Sequence, residues 1–382
     1  MIGELIDKKE KKVEYIELIY DLIFVYVIGR NNAILQNVDG GFVSARTFLT
    51  YALCTLAIIQ VWNFSTFYIN MFGKSGVREH IFMFINMYLL YFIGQSTRTD
   101  WADFQSQYHI AWGLILINIG VQYIIELKNH GDNAANRDII KRMCIALFTE
   151  AVFVFIAAIP VPELAVSFSA LAIVSGIVLT AVGRHKSDGG QIDFPHLTER
   201  AMLYVVFTFG EMIIALASYF TGDGSFNRNT IYFSLMAFLI VVGLFLSYGF
   251  VYDNLIDREG DFDGMLYMVI HIFIIFAMNN ITASLEFMRE EEVNLVPKLI
   301  FLVCSVVAYF VFLFALKRYA KCTCKPTMPF MLKAGGLTAA FAVLMAVFRE
   351  NMAVNISVSA IYVFSLFALL YATYRDIKKN NR

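Results

Sequence analysis

Apolar stretches of about 20 residues, each long enough to cross ~30 Å of hydrocarbon, recur from one end of the chain to the other with short polar breaks between them. Twelve can be placed, at 15–37, 46–72, 79–97, 108–128, 139–159, 163–183, 198–220, 229–252, 265–288, 296–317, 329–348 and 355–375. The pattern predicts an all-α, polytopic helical membrane protein with about twelve transmembrane helices. With these spans, 22 Lys and Arg residues fall on the side of the N-terminus and six on the other. Short loops rich in Lys and Arg stay inside. Both termini are therefore expected in the cytoplasm, with the chain a multi-pass protein of the cell (plasma) membrane.

No break is long enough to hold a soluble domain, so 1–382 reads as a single membrane domain with a cytoplasmic head at 1–14 and a tail at 376–382. The second and eighth spans open alike, on Arg46-Thr47 and Arg228-Asn229-Thr230. Both end in polar-aromatic runs, Trp62-Asn63-Phe64-Ser65-Thr66 and Tyr248-Gly249-Phe250-Val251-Tyr252-Asp253. An offset of six spans would make 15–183 and 198–375 two parallel six-helix halves, as in several transporter folds. Two amphipathic spans that match by chance are the other reading.

Composition sharpens this picture. Of the 382 residues 59% are hydrophobic and 16% charged, with a mean hydropathy of +0.63, outside the range of soluble globular domains. The expected partners are the lipid bilayer and an unidentified small molecule; a net charge of −1 points to no nucleic acid, and the oligomeric state is not legible. The first span carries Glu17, Asp21 and Arg30 and runs too far for a cleaved signal peptide. Of five cysteines, three lie in apolar runs, and Cys322 and Cys324 form a Cys-Thr-Cys in a basic loop without a nearby His, so neither a metal nor a disulfide framework is expected. Zinc-ligand spacings, phosphate loops and nucleophile elbows are all missing, and no cofactor or catalytic residue is expected.

The chemistry must then lie in polar groups inside the spans. Glu211 sits about halfway along 198–220, where an ionised acid costs roughly 2.5–3.5 kcal/mol unless it faces a cavity or a partner. Gly210 beside it would admit a close neighbour. Glu17 and Asp21, at i and i+4, share one face of the first span and need a cation from another span or a proton. Arg30 lies nearly opposite Asp21 on that helix, and Glu14 reads as interfacial. Glu150 lies near mid-depth in the fifth span. His196, Glu199 and Arg200 read as a charge cluster at the cytoplasmic interface. His271 and Glu286 share a stripe with Met278 and Thr282. Asp21, Glu211, His271, Glu17 and Glu150 are the candidates for a proton relay or transport path, and Trp62, Asn63, Asn70, Tyr252, Asp253 and Glu286 for cavity lining.

Val13-Glu14-Tyr15-Ile16-Glu17-Leu18-Ile19-Tyr20-Asp21-Leu22-Ile23-Phe24-Val25 resembles the opening W-x-E-L-F-F-D-L-V-F-V signature of the low temperature requirement protein A family. His196-Leu197-Thr198-Glu199-Arg200, followed by Phe209-Gly210-Glu211, is similar to its second signature, H-x-x-E-R leading to L-G-E. Trp62, Thr66 and Asn70 match W-x-x-x-T-x-x-x-N, and Tyr252-Asp253, His271 and Glu286 fall at corresponding places. The chain departs after Asn70, where Met71-Phe72-Gly73-Lys74-Ser75-Gly76 replaces an acidic R-F-D-T-D-D loop. The resemblance implies a bacterial inner-membrane protein of many helices, named for a need during growth in the cold, with no settled substrate.

Three readings stand. In a secondary transporter, with or without proton coupling, Glu211, Asp21 and His271 would line a central cavity. In a membrane enzyme acting on a lipid or isoprenoid-linked substrate, Glu17, Asp21, Glu199 and Arg200 would gather at headgroup depth. In a non-catalytic structural protein needed at low temperature, each buried acid would be paired with Arg or Lys and no cavity would remain.

Overall fold

The computed structural model describes residues 13–74, 76–97, 101–130, 132–181, 192–217, 227–260, 262, 264–288, 290, 293–321 and 327–380. The first twelve residues of the expected head and the Cys322/Cys324 pair lie outside them. Among the described residues twelve α-helices follow one another. They are α1 (Tyr15–Asn31), α2 (Ala45–Phe72), α3 (Val77–Ser96), α4 (Trp101–His130), α5 (Ala134–Ala157) and α6 (Pro162–Ala181). The second six are α7 (Phe194–Leu216), α8 (Arg228–Phe250), α9 (Met265–Phe287), α10 (Leu295–Ala315), α11 (Met328–Val347) and α12 (Met352–Asn380).

Among the described residues nine are long and apolar enough to cross a membrane, which makes the chain an integral, multi-pass membrane protein. The other three, α3, α5 and α7, open on charged turns: Arg78-Glu79-His80, Arg137-Asp138 with Lys141-Arg142, and Glu199-Arg200. Local chemistry sets the helix starts. Ser44, Asn133, Asp193 and Asn227 each accept a backbone N–H of the first turn of α2, α5, α7 and α8. The Asp193 cap and Pro195 start α7 at Phe194, four residues before the apolar run suggests. α12 runs on to Asn380, so most of the expected tail is helix.

The ends alternate between two faces. The end of α8 lies beside the end of α10, where Lys321 donates to the Leu255 carbonyl and Asp257 to that of Tyr319. Phe194 at the start of α7 stacks on Tyr319 and meets Tyr267 at the start of α9. On the opposite face, a two-stranded hairpin, β1 (Val38–Asp39) and β2 (Phe42–Val43), is joined to the start of α10 by Asn294, whose N–H donates to the Gly41 carbonyl at 2.5 Å. Gly40 and Gly41 have φ of 63° and 89°, a left-handed turn that favours glycine. The hairpin's signal is the Asp-Gly-Gly triplet, which a pattern of apolar runs passes over.

The most buried helix is α2, packed against α1, α4, α6, α7 and α9. A neighbour such as α3 turns one side outward, with Ile81, Phe84, Ile85, Tyr88 and Phe92 exposed at helical spacing, as a lipid-facing stripe would be. Near the start of α2 a polar shelf joins α2, α9 and the turn that follows α1. Tyr51 Oη donates to Asn280 Oδ1 at 2.9 Å and accepts from Asn279 Nδ2 at 2.8 Å, while Asn279 Nδ2 also donates to Asn32 Oδ1. Tyr51→Phe removes a donor and an acceptor from a fully buried set, so it is expected to cost about 1–3 kcal/mol in detergent unfolding. Unchanged stability would show that the shelf carries no load.

Candidate functional site

Two acids on α1 and one arginine on α7 form a buried charge cluster. Arg200 Nε donates to Asp21 Oδ2 at 3.1 Å and Nη2 to Asp21 Oδ1 at 2.5 Å, a two-pronged pair, while Nη1 donates to Glu17 Oε2 at 2.6 Å. Asp21 and Arg200 have no exposed surface. Trp62 Nε1 of α2 donates to Asp21 Oδ1 at 2.8 Å, and its ring packs 4.2 Å from that of Tyr204 on α7. The cation that the spacing of Glu17 and Asp21 demanded is thus Arg200.

The chain entering α7 holds this arginine in place. Asn70, at the end of α2, donates to the Asp193 carbonyl at 2.8 Å and accepts from the Asp193 N–H at 3.1 Å. Asn70 Nδ2 also lies 3.0 Å from His196 Nδ1, which can only accept from it. That leaves the proton on His196 Nε2, 3.4 Å from Glu17 Oε2. His196 and Arg200, expected as part of a charge cluster at the cytoplasmic interface, are both buried, packed toward α1. Glu199 alone of the three stays half-buried.

Farther along, the carboxylate of Glu211 lies over Gly29 of α1. A Cβ at Gly29 would stand 2.3 Å from Glu211 Oε1. The glycine that admits Glu211 is therefore Gly29 on the partner helix, whereas Gly210 is exposed and has nothing near it, contrary to expectation. Contacts Glu17 to Arg200 and Gly29 to Glu211 run in the same order on both chains, so α1 and α7 are parallel neighbours over about 18 Å.

The other candidates lie apart. His271 Nδ1 donates to the Tyr267 carbonyl at 2.8 Å and Nε2 accepts from Tyr248 Oη at 3.0 Å, so both ring nitrogens are engaged between α8 and α9 and neither meets Asp21 or Glu211. Trp62 and Asn70 are hydrogen-bonded to Asp21 and to Asp193 with His196, while Asn63 lines a small cavity. Asp253 is exposed just after α8, and Tyr252 lies beneath the Arg258 guanidinium at 4.8 Å. Glu286 is half-buried near the far end of α9. Glu150 is enclosed between α5, α2 and α6.

One cluster was not anticipated. Glu126, fully buried in the last turns of α4, is bonded by Arg78 of α3 and lies 3.0 Å from His130 Nδ1, and Arg78 also holds Glu79. Its signal was Glu126 and His130 at i and i+4. Two of the four groups proposed for headgroup-depth chemistry, Asp21 and Arg200, have no exposed surface.

No curated protein sequence matches the chain. The sequence profile of the bacterial low temperature requirement A protein (LtrA) matches residues 12–369, which takes in the α1 acids, the α7 histidine and arginine and all but the end of α12. A match over nearly the whole length places this integral membrane protein in the LtrA family.

Proposed function

We propose that the protein is a proton-coupled secondary transporter for a small molecule, crossing the cell membrane twelve times with both termini in the cytoplasm, and built from two parallel six-helix halves at 15–183 and 198–375. The helix pairings support the two halves. α1 packs on α2 and α3 as α7 packs on α8 and α9; α3 meets α4 as α9 meets α10; α2 meets α6 as α8 meets α12; and α5 meets α6 as α11 meets α12. The correspondence is weakest at α10 and α11, which touch far less than α4 and α5 do. A twofold axis along the membrane normal would relate α1 to α7, and these two are parallel neighbours.

The observation that carries the reading is the Glu17–Asp21–Arg200 cluster, because it ties the first helix of one half to the first helix of the other. A carboxylate of the cluster that took up a proton would lose its ion pair with Arg200, which would weaken the tie and let the halves rock. Buried acids kept only for helix pairing would each have a cation. Glu17, Asp21 and Glu126 have an arginine, whereas Glu211 and Glu150 have no ion pair among the described residues.

The test is proton movement in liposomes under an imposed pH gradient with pooled cell metabolites outside, wild type beside Glu211→Gln. Metabolite-dependent movement that is lost in a folded Glu211→Gln protein is expected. Its absence from the wild type would count against transport.

A further inference from the structure

Among the described residues, Glu150 differs from the other fully buried acids, Asp21 and Glu126, in having no cation. Its Oε2 accepts from Gln60 Nε2 of α2 at 3.2 Å, and its Oε1 has no partner among those residues. Gln60 Nε2 also donates to the Ile173 carbonyl of α6 at 3.3 Å, leaving Gln60 Oε1 without a donor. Gly176 closes the pair from the α6 side: a Cβ there would stand 2.0 Å from Glu150 Oε2 and 2.1 Å from Gln60 Nε2, so only bare backbone fits.

Gln60 also lines a cavity between α2, α5, α6 and α9, together with Asn63, Phe67, Met143, Ile177 and Ile272. Asn63 Oδ1 is a third buried acceptor without a donor among the described residues. The cavity therefore lies between helices of the two proposed halves and reaches the carboxylate through one amide.

The titratable groups on the surrounding helices are engaged elsewhere. His109 of α4 is held by Gln105 and Ser169, Glu126 of α4 by Arg78 and His130, Glu163 of α6 by Arg46, and His271 of α9 by Tyr248 and Tyr267. Cys54 and Tyr68 of α2, Tyr123 of α4 and Cys144 of α5 form no hydrogen bond with Glu150. The basic residues Arg137, Lys141 and Arg142 lie two turns or more before it on α5.

We propose that Glu150 is a proton-binding site, its carboxyl taking up and releasing one proton through the cavity between α2, α5, α6 and α9. The proton adds to Oε1, which has no partner among the described residues, and the carboxylate becomes a neutral acid whose Oε2 still accepts from Gln60. An ionised carboxylate enclosed without a cation is costly, and the neutral acid removes that cost. A metal ion fits less well, because hard cations gather several oxygens and the group facing Oε2 is an amide nitrogen. The site stands on this geometry; its use in coupling rests on the transporter reading above.

Infrared spectroscopy of the purified full-length protein in lipid tests it without a substrate. The wild type is expected to show, at neutral pH, a protonated-carboxyl carbonyl band that shifts in D2O, fades as pH rises and is lost in Glu150→Gln. An unchanged spectrum in Glu150→Gln, or a band that D2O never reaches, would overturn the proposal. Should Glu150→Gln fail to fold, Gln60→Leu removes the donor to Oε2, and the band should then persist to higher pH; an unchanged pH profile counts against the site. A lost band beside intact metabolite-driven proton movement in Glu150→Gln liposomes would uphold the site and count against coupling alone.

Discussion

Arg200→Met is expected to destabilise the folded protein by about 3–5 kcal/mol, because it leaves Glu17 and Asp21 buried without their guanidinium. The comparison that tests the cause is the triple variant Glu17→Gln, Asp21→Asn, Arg200→Met. Removing all three charges together is expected to restore most of the loss, since the cost of a broken buried pair lies in the charge left behind rather than in the pair itself. Asp21→Asn alone should cost less than Arg200→Met, as Arg200 keeps Glu17 and the amide oxygen still accepts from Trp62. Unfolding in a denaturing detergent reads all three, and equal losses for the single and triple variants would refute the account.

Trp62→Ala is expected to cost a similar amount, about 3–5 kcal/mol, by a different route. The indole has no exposed surface, packs on Tyr204 and donates to Asp21, so its removal opens a void at the junction of α1, α2 and α7. Trp62→Phe should lose less, about 1–2 kcal/mol, because it keeps most of the packing and gives up one charge-assisted hydrogen bond while Asp21 Oδ1 still accepts from Arg200. If the two variants were equally unstable, the hydrogen bond would outweigh the packing.

The helices were legible because length and apolarity are local properties, and every expected span overlaps one observed helix. The partners of the polar groups were legible only in part. The spacing of Glu17 and Asp21 said that a cation was needed and that Arg30 could not be it, since one helix fixes its own faces. It could not say that Arg200 was the answer, because that depends on α7 lying parallel to α1 and on Asn70 positioning Asp193. The same limit hid the burial of His196 and Arg200, since a helix start beside a polar loop in sequence can be covered by another helix in space. Gly210 was the wrong glycine for the same reason: the close approach is made at Gly29, on the neighbour.

The central claim, that the α1–α7 cluster ties two halves that can separate, is tested most directly by an electron-spin distance measurement. Spin labels at Tyr15→Cys and Asp253→Cys, both exposed, would report on one half each in liposomes, with Cys54, Cys144, Cys304, Cys322 and Cys324 replaced by serine. The account predicts two distance populations, with the longer one gaining when Glu17→Gln and Asp21→Asn remove the ion pairs. A single population, unmoved by those substitutions in a folded protein, would contradict it and leave the cluster a fixed strut.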